Sequence, residues 1–395
     1  MKLANRIHRI QPSATLAMTA KAAELRAKGL EVFNMSVGEP DFNTPDNIIS
    51  AAVQAMNSGH TRYTPGSGTT DIKNAIKTKL IRDNKLDYNL DQIIVSSGGK
   101  HSLYNACQAL FQKGDEVIIF TPYWVSFPDF VSVTGATPVF VNTDPDKQYE
   151  PVFSDLESKI NKNTKGIIIN SPSNPTGGVW SDEAIARTVD IAKTKSIWVF
   201  SDECYEQLTY DIPFKSTYRI CPNYNRILTF QSCSKTYAMT GWRIGYTCGD
   251  STVVKAMSKL QGQSTSCPNS IAQFAATEAL LGDQSSVQNM KKAFKIRRDL
   301  IVNRLNSIDG ISCNIPGGAF YVFPDIKNLI NRNLHGKIIK SALDLCLILL
   351  ETKSVVSVAG DSFGADGNMR FSYATSEEVI NKAMDRLEEV ILDCN

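Results

Sequence analysis

The feature that most constrains the fold is an alternation of short apolar runs with longer helix-like stretches across residues 46–285. The runs are rich in β-branched and aromatic residues and have few polar breaks, which is typical of strands buried on both faces. Strands separated by helices indicate a parallel sheet covered by helices on both sides. We therefore predict strands at Ile93–Ser97, Glu116–Phe120, Thr137–Val141, Gly166–Asn170, Trp198–Asp202, Ile227–Gln231 and Ile244–Cys248.

The pattern changes after residue 285. Ser286–Ser307 is a charged amphipathic stretch, which predicts a connecting helix, and strands are predicted near Gly318–Phe323, Val355–Val358 and Met369–Tyr373. The sequence thus predicts an α/β protein in three parts. Residues 1–45 form an N-terminal arm that contributes to the smaller domain, residues 46–285 form a large domain, and residues 286–395 form a small α+β domain.

Charge and cysteine content argue against several classes of function. The chain of 395 residues has a net charge of only +2 and no dense run of lysine or arginine, so no nucleic-acid partner is expected. Nine scattered cysteines indicate reduced thiols, and four histidines without ligand spacing predict no metal site. The N-terminus lacks the apolar segment of a secretory signal, and no apolar run is long enough to span a bilayer. We therefore predict a cytoplasmic protein with no membrane partner.

Small and polar residues follow two of the predicted strands, at the edge where parallel sheets bind ligands. Gly98-Gly99-Lys100 opens a helix, and the free N–H groups and dipole at a helix start favour an anion such as phosphate. Prolines on both sides of Asn174 make a rigid loop that can aim one amide side chain. Each feature taken alone is equally typical of an ordinary turn.

Ionisable side chains follow the next two predicted strands. Asp202 ends a buried strand, where a carboxylate needs a cationic or protonated partner, although a helix N-cap is an alternative role. Lys235 and Arg243 come after the neighbouring strand, together with Ser232 and Ser234. Two solvated charges would explain this lysine and arginine if they stood alone. An acid, an amine and anion donors at one sheet edge instead indicate a single site.

Residues 232–245, SCSKTYAMTGWRIG, resemble the cofactor-attachment signature of class I aminotransferases, which use pyridoxal 5′-phosphate. The family's other motifs are similar and occur in the same order, with VGEPD at 37–41, SPSNPTG at 171–177, SDECY at 201–205 and MRFS at 369–372. The resemblance covers almost the whole chain and rests on several motifs, unlike a match to a lone pattern. It implies the pyridoxal-phosphate-dependent transferase fold type I, with a mainly parallel seven-stranded sheet in the large domain.

The resemblance also implies roles in a cofactor site. Lys235 would hold the cofactor as an internal Schiff base and then act as the general acid and base. Asp202 would keep the pyridinium nitrogen protonated, so that the ring works as an electron sink. Tyr205 and Asn174 would hydrogen-bond the ring oxygen, and Trp124 would stack on the ring. The phosphate would be held by Gly99, Lys100, Ser232, Ser234 and Arg243 and, from the neighbouring subunit of a homodimer, by Tyr63.

Substrate recognition follows from the same resemblance. Arg370 would clamp the α-carboxylate with its planar fork, next to the backbone of Gly38. Lys100 would bind the distal carboxylate of an acidic substrate, as in the subgroup that resembles bacterial aspartate aminotransferases; a solvated surface lysine is the alternative. Thr15 together with Lys100 is the combination associated with accepting prephenate. The substrate-binding set is therefore Gly38, Lys100, Trp124, Asn174, Arg370 and Thr15.

The resulting prediction is a ping-pong aminotransferase. L-Aspartate and 2-oxoglutarate would give oxaloacetate and L-glutamate, and prephenate would be a further substrate that gives arogenate. A β-lyase, an α-elimination synthase or an aromatic aminotransferase remains an alternative, because one fold hosts several reactions of this cofactor. A transcription regulator with an aminotransferase-like domain would need a DNA-binding module, and residues 1–45 have no helix-turn-helix pattern.

Overall fold

The computed structural model describes residues 3–10, 14–334 and 337–393. Its strands are numbered here in chain order, and the first eight after β1 build the large sheet. They are β1 Phe33–Asn34, β2 Ile93–Ser96, β3 Glu116–Thr121, β4 Thr137–Asp144, β5 Glu150–Pro151, β6 Thr164–Asn170, β7 Trp198–Asp202, β8 Ile227–Ser232, β9 Gly245–Cys248, β10 Tyr321–Val322, β11 Asn333–Leu334, β12 Lys337–Ile338, β13 Val355–Val356, β14 Val358–Ala359 and β15 Met369–Ser372.

Helices alternate with these strands, and several begin at a side chain that caps the first free N–H groups. Ser181 and Asp250 do so for α7 and α10, where their side-chain oxygens accept from backbone N–H groups inside the first turn. The helices are α1 Ala14–Ala27, α2 Asp46–Asn57, α3 Thr70–Lys79, α4 Gly99–Leu110, α5 Phe127–Ser132, α6 Phe153–Lys159, α7 Asp182–Thr194, α8 Thr217–Ile220, α9 Cys233–Thr236, α10 Ser251–Ser264, α11 Ser270–Leu281, α12 Ser285–Asn306, α13 Ala342–Lys353 and α14 Glu377–Leu392.

The large sheet has eight strands in the order β2-β9-β8-β7-β6-β3-β4-β5. Strands β8, β7, β6, β3 and β4 run parallel to one another, which confirms the mainly parallel sheet. Strand β9 runs antiparallel to both β2 and β8, because the segment before it contains only the one-turn helix α9 and makes no full crossover. The sequence did not predict β5, a two-residue strand that pairs antiparallel with β4 at the sheet edge.

Helices cover both faces of this sheet, as the unbroken apolar strands predicted. Val117 and Ile119 of β3 point into a core that they share with α4, α5 and α10. Ile118 and Phe120 point the opposite way, into a core that they share with α6 and α7. This alternation follows from the two-residue period of a strand. Each face of the sheet is therefore removed from water by its own layer of helices.

A second core lies beyond α12 and involves both ends of the chain. The antiparallel sheet β10-β15-β14 packs with α12, α13 and α14, and Phe33 and Met35 from the N-terminal part join the same core. Strand β1 also pairs with β13, with Phe33 opposite Val355. The domain boundaries at residues 45 and 285 remain predictions. None of the described helices combines the length and apolarity needed to cross a membrane.

Candidate active site

A cavity of about 270 Å³ opens at the carboxyl ends of β6, β7 and β8 and extends to the second core. Its volume lies just below the range of about 300–1,000 Å³ for small-molecule pockets. Twelve of the predicted site residues line it, from segments that are far apart in the sequence. They are Gly38, Gly99, Lys100, Trp124, Asn174, Asp202, Tyr205, Ser232, Ser234, Lys235, Arg243 and Arg370.

Lys235 lies in the one-turn helix α9, directly after the carboxyl end of β8. Its Nζ donates a hydrogen bond to the backbone oxygen of Gly38 at 2.5 Å. Burial lowers the pKa of the Lys235 amine, and the positive charges of Arg243 and Arg370 act in the same direction. A buried amine with a lowered pKa loses its proton more readily, and the neutral amine is the form that acts as a nucleophile and as a base.

Asp202 ends strand β7, and its carboxyl group is buried at the cavity wall. Burial raises the pKa of Asp202 to about 7, although its Oδ1 accepts the N–H of Cys204 at 3.2 Å. Within the described chain, no lysine, arginine or histidine forms an ion pair with this carboxyl. A bound molecule can supply the cationic or protonated partner that the sequence predicted, and a protonated ring nitrogen is one such group.

An anion site is formed where helix α4 begins. Gly98 has a φ of +88°, and a Cβ atom there would collide with the guanidinium of Arg243. Glycine therefore lets the arginine lie against the free N–H groups at the helix start. Ser232 and Ser234 line the cavity beside this helix start. The Ser232 hydroxyl donates to Ser234 Oγ at 2.9 Å and accepts the Ser234 N–H at 3.1 Å, so the two side chains hold each other in place.

Arg370 projects from β15 into the opposite side of the cavity and is 2% exposed. Its Nη1 donates to Oδ1 of Asn174 at 2.9 Å, and its Nη2 donates to the backbone oxygen of Ser36 at 2.7 Å. The guanidinium lies 4.7 Å from the ring of Tyr321 and 5.0 Å from that of Phe363. Its Nε is buried and has no hydrogen-bond partner. A buried guanidinium with an unsatisfied donor and no carboxylate is suited to bind one from a ligand.

Tyr205 and Trp124 provide aromatic walls. The Tyr205 hydroxyl hydrogen-bonds the Tyr321 hydroxyl at 2.9 Å, and burial raises the pKa of Tyr205 well above its usual value. The Lys100 amine lies 5.0 Å from the centre of the Trp124 ring. Burial lowers the pKa of Lys100, and the charge of Arg243 lowers it further. Lys100 therefore places a second cation near the cavity, apart from Arg370.

The roles of two more of the predicted residues, Tyr63 and Thr15, stay predictions. The side chain of Tyr63 is 89% exposed, and a role in the site of a neighbouring subunit remains a prediction. Thr15 falls within α1, but its side chain lies outside the described part of the chain. The role of Thr15 as a prephenate determinant therefore also stays a prediction.

Sequence reasoning missed six residues that line the cavity. Asn170 and Gln231 are the last residues of two predicted strands. The rule that ligands bind at the carboxyl ends of strands could therefore have identified them. Tyr321 was included in a predicted strand, but its approach to Tyr205 depends on packing between distant segments. The six residues are Leu103, Asn170, Cys204, Phe230, Gln231 and Tyr321.

These features fit pyridoxal 5′-phosphate. The helix start beside Arg243 can accept the phosphate, Asp202 can face the ring nitrogen, and the Lys235 amine can reach an aldehyde between them. A lysine that can bond an aldehyde and a carboxylate that needs a cation are the two main demands of this cofactor's chemistry. The fold and the cavity therefore define the class, a pyridoxal-phosphate-dependent enzyme of fold type I.

Comparison with known proteins narrows the class to one family. The family model described as aminotransferase class I and II matches residues 31–387, and the chain belongs to that family. The predicted family, the fold type, the aminotransferase class and the cofactor are thus confirmed.

Similar proteins cover the chain from end to end. A probable aspartate/prephenate aminotransferase of Rhizobium leguminosarum bv. phaseoli is 47% identical and covers 99% of both chains. The aspartate aminotransferase of Bacillus subtilis strain 168 is 42% identical, again over 99% of both chains. A crystal structure of the aspartate aminotransferase from Rhizobium meliloti is 39% identical, covers 100% of both chains and superposes with a TM-score of 0.96.

Proposed function

We propose that this aminotransferase transfers the amino group of L-aspartate to 2-oxoglutarate and releases oxaloacetate and L-glutamate. The observation that carries the proposal is a pair of cations at separate positions of the cavity, in addition to Lys235 and Arg243, which are assigned to the cofactor. Arg370 is buried at one wall, and Lys100 lies over Trp124. Aspartate, glutamate and their oxo acids each have two carboxylates, and two separate cations match that charge pattern. The aspartate aminotransferases among the relatives support the same assignment.

Different residues of the cavity would bind different groups of the cofactor. Gly99, Ser232, Ser234 and Arg243 would hold its phosphate, and the backbone of Lys100 would join them at the start of α4. Asp202 would hold a proton on the ring nitrogen, and Tyr205 and Asn174 would contact the ring oxygen. When bound, pyridoxal phosphate supplies an electron-withdrawing ring that stabilises negative charge at the substrate Cα.

Lys235 would carry the proton transfer. Its amine has a lowered pKa because it is buried, so it can be neutral when it takes the proton from the substrate Cα. The same Nζ would then give the proton to C4′ of the cofactor. Because the second half of the reaction is the reverse of the first, with 2-oxoglutarate in place of oxaloacetate, one lysine serves both halves.

Arg370 would orient the substrate for this step. Its two Nη atoms are fixed by Asn174 and Ser36, so the plane of the guanidinium is set before a substrate arrives. A preset plane reduces the conformational freedom that is lost on binding and holds the Cα near Lys235. Asn174 would thus act both on the cofactor and on the arginine that binds the substrate.

A panel of amino donors and oxo-acid acceptors tests the proposed function. With the purified, cofactor-loaded protein, aspartate with 2-oxoglutarate should give the highest kcat/KM, and alanine and phenylalanine should be poorer donors. Release of pyruvate or ammonia from a sulfur-containing amino acid, without amino transfer, would instead favour a β-lyase. Several relatives are named aspartate/prephenate aminotransferase, so we extend the proposal to prephenate and include it in the acceptor panel.

We further propose a homodimer in the cytoplasm, with active sites shared between the subunits. Exposed apolar residues lie along α2 at Ile49, Val53 and Met56, which share one face of the helix, and Tyr63 is exposed nearby in sequence. A second copy would cover this face and bring its Tyr63 to the phosphate site. Light scattering at several concentrations should give twice the chain mass, and a monomer at all of them would contradict the dimer. The described cysteines are free, in keeping with a reducing compartment.

A further inference from the structure

A buried ion pair lies next to the cavity, outside the roles assigned above. Lys79, the last residue of α3, pairs with Glu206, and the two side chains are 2% and 6% exposed. The Lys79 amine also donates to Oδ1 of Asn84 at 2.9 Å, and Nδ2 of Asn84 donates to the second oxygen of Glu206 at 2.9 Å. Removing two charges from water costs free energy that their attraction only partly offsets. Stability alone is therefore a weak reason for this pair.

Gln231 connects the ion pair to the cofactor site. Its Oε1 accepts hydrogen bonds from Lys79 Nζ at 2.7 Å and from the Tyr246 hydroxyl at 2.8 Å. Those two donors fix the orientation of the amide, so that its Nε2 donates to Oε2 of Glu203 at 3.1 Å. Gln231 also lines the cavity, although neither Lys79 nor Glu206 does.

Glu203 is the end point of this network and directly follows Asp202. It is 1% exposed, and its other oxygen accepts from Ser201 Oγ at 2.9 Å, Ser216 Oγ at 2.8 Å and the Thr217 N–H at 3.1 Å. Burial raises the pKa of Glu203, and the hydrogen bonds oppose that rise. Adjacent residues of an extended chain point in opposite directions. Glu203 therefore enters the network while Asp202 lines the cavity.

We propose that Gln231 and the Lys79–Glu206 pair are positioning residues, which hold Glu203 as a fixed negative charge and thereby fix the direction of the Asp202 carboxyl. The inference rests on the proposed use of Asp202 as the partner of the cofactor ring nitrogen. A negative charge behind Asp202 stabilises positive charge on the cofactor side of the cavity. The ionisable groups that act on Glu203 are Asp202, Tyr88 and Cys248, and the Lys79–Glu206 pair is linked to it through Gln231.

The test is a pH titration of the cofactor absorbance in the loaded enzyme without substrate. Gln231→Met removes the donor to Glu203, so Glu203 is protonated more easily and the nearby cation loses stabilisation. We expect the absorbance midpoint to move to lower pH by about half a unit or more. We expect kcat with aspartate to fall roughly tenfold while KM stays within about threefold, because the hydrogen bonds of Gln231 reach neither Arg370 nor Lys100, the two proposed substrate clamps.

Two further variants separate this role from a structural one. Lys79→Met/Glu206→Gln removes the charged pair without touching the cavity wall, and its midpoint should also fall. Gln261→Met is the matched control, because Gln261 is an equally buried glutamine whose amide donates to the backbone oxygens of Gly66 and Val95. It should lower the unfolding temperature but leave the absorbance midpoint unchanged.

An unchanged midpoint in both network variants would overturn the proposal. A shift in Gln231→Met but not in the double variant would overturn the part assigned to the ion pair. An equal shift of the absorbance midpoint in Gln261→Met would mean that any destabilising change in the core moves the midpoint. That result would overturn the proposal as well. The titration needs no amino donor, so failure of the wild-type enzyme to use aspartate would count against the proposed function alone.

Discussion

Arg370 and Asn174 are hydrogen-bonded at 2.9 Å although they lie 196 positions apart in the sequence. The contact joins strand β15 of the smaller core to the loop after β6 of the large sheet. It therefore couples the proposed substrate clamp to a side chain that is proposed to contact the cofactor. The predictions below follow from this arrangement of cations and carboxylates around one cavity.

Arg370→Lys should weaken the binding of every amino-acid donor, since a lysine cannot make two parallel hydrogen bonds to a carboxylate. We expect KM to rise by roughly 10- to 100-fold for aspartate and alanine alike, which corresponds to a lost charge-assisted hydrogen bond. Arg298→Lys is a matched control, because Arg298 is equally buried but pairs with Asp211 and Asp299. Steady-state kinetics on both variants make the comparison, and an unchanged KM in Arg370→Lys would contradict the clamp.

Lys100→Ala should raise KM more for donors that have a second carboxylate than for donors that lack one. The proposed distal clamp acts only on a second carboxylate, so KM for aspartate should rise by roughly tenfold while KM for alanine changes by less than about threefold. Lys100→Arg keeps the charge and should retain most of the preference for dicarboxylic donors. Equal losses for aspartate and alanine would show that Lys100 acts elsewhere.

Asp202 should make the cofactor-free protein less stable as pH rises. Burial raises the folded-state pKa of Asp202 from 3.8 to about 7, so the folded state holds this proton more tightly than the unfolded state does. The stability contribution of the neutral carboxyl is full below about pH 4 and is lost as pH rises towards 7. The total loss in the free energy of unfolding is about 4 kcal/mol.

Asp202→Asn removes that titration. Urea unfolding of the cofactor-free wild type and variant between pH 4 and pH 8 should give a stability difference that grows in favour of the variant as pH rises. The other carboxyl groups are common to both proteins and cancel in the difference. A difference that does not change with pH would mean that Asp202 is ionised normally in the folded state.

Gly98→Ala should weaken the anion site. The residue has a positive φ, and a Cβ atom would displace the Arg243 guanidinium, so we expect a loss of about 1–3 kcal/mol in stability and weaker cofactor binding. Gly262→Ala is the matched control, because Gly262 lies inside α10 with no atom within contact distance of the added Cβ. The control should be neutral or stabilising by up to about 1 kcal/mol. Thermal unfolding and cofactor dissociation measure both effects, and intact cofactor binding in Gly98→Ala would contradict the proposed phosphate cradle.

Strand periodicity accounts for what the sequence could predict of the fold. Continuous apolar runs such as Val117-Ile-Ile119 imply burial on both faces, and the structure has a core on each side of β3. Periodicity contains no information on strand direction, so the antiparallel run of β9 was not predicted. A two-residue edge strand such as β5 is too short to give any pattern.

The site was predictable where residues follow strands directly. Asp202 and Lys235 come at or just after strand ends, so their approach follows from parallel topology alone. Tyr321 and the Lys79–Gln231 contact depend on packing between segments more than 100 positions apart, which local patterns do not encode. The proposed role of Tyr63 depends on a second chain, so strand patterns could not indicate it and it was predicted only from the family resemblance.

The proposed mechanism requires the Lys235 amine to form the covalent bond to the cofactor. Borohydride reduction of the loaded enzyme makes that bond permanent, and mass analysis of the digested protein then locates the modified lysine. We expect one cofactor per chain, attached at Lys235. The Lys235→Ala variant should give no labelled peptide, and its rate should be reduced by at least roughly 100-fold. Attachment at another lysine such as Lys100, or a labelled and active Lys235→Ala protein, would contradict the proposed mechanism.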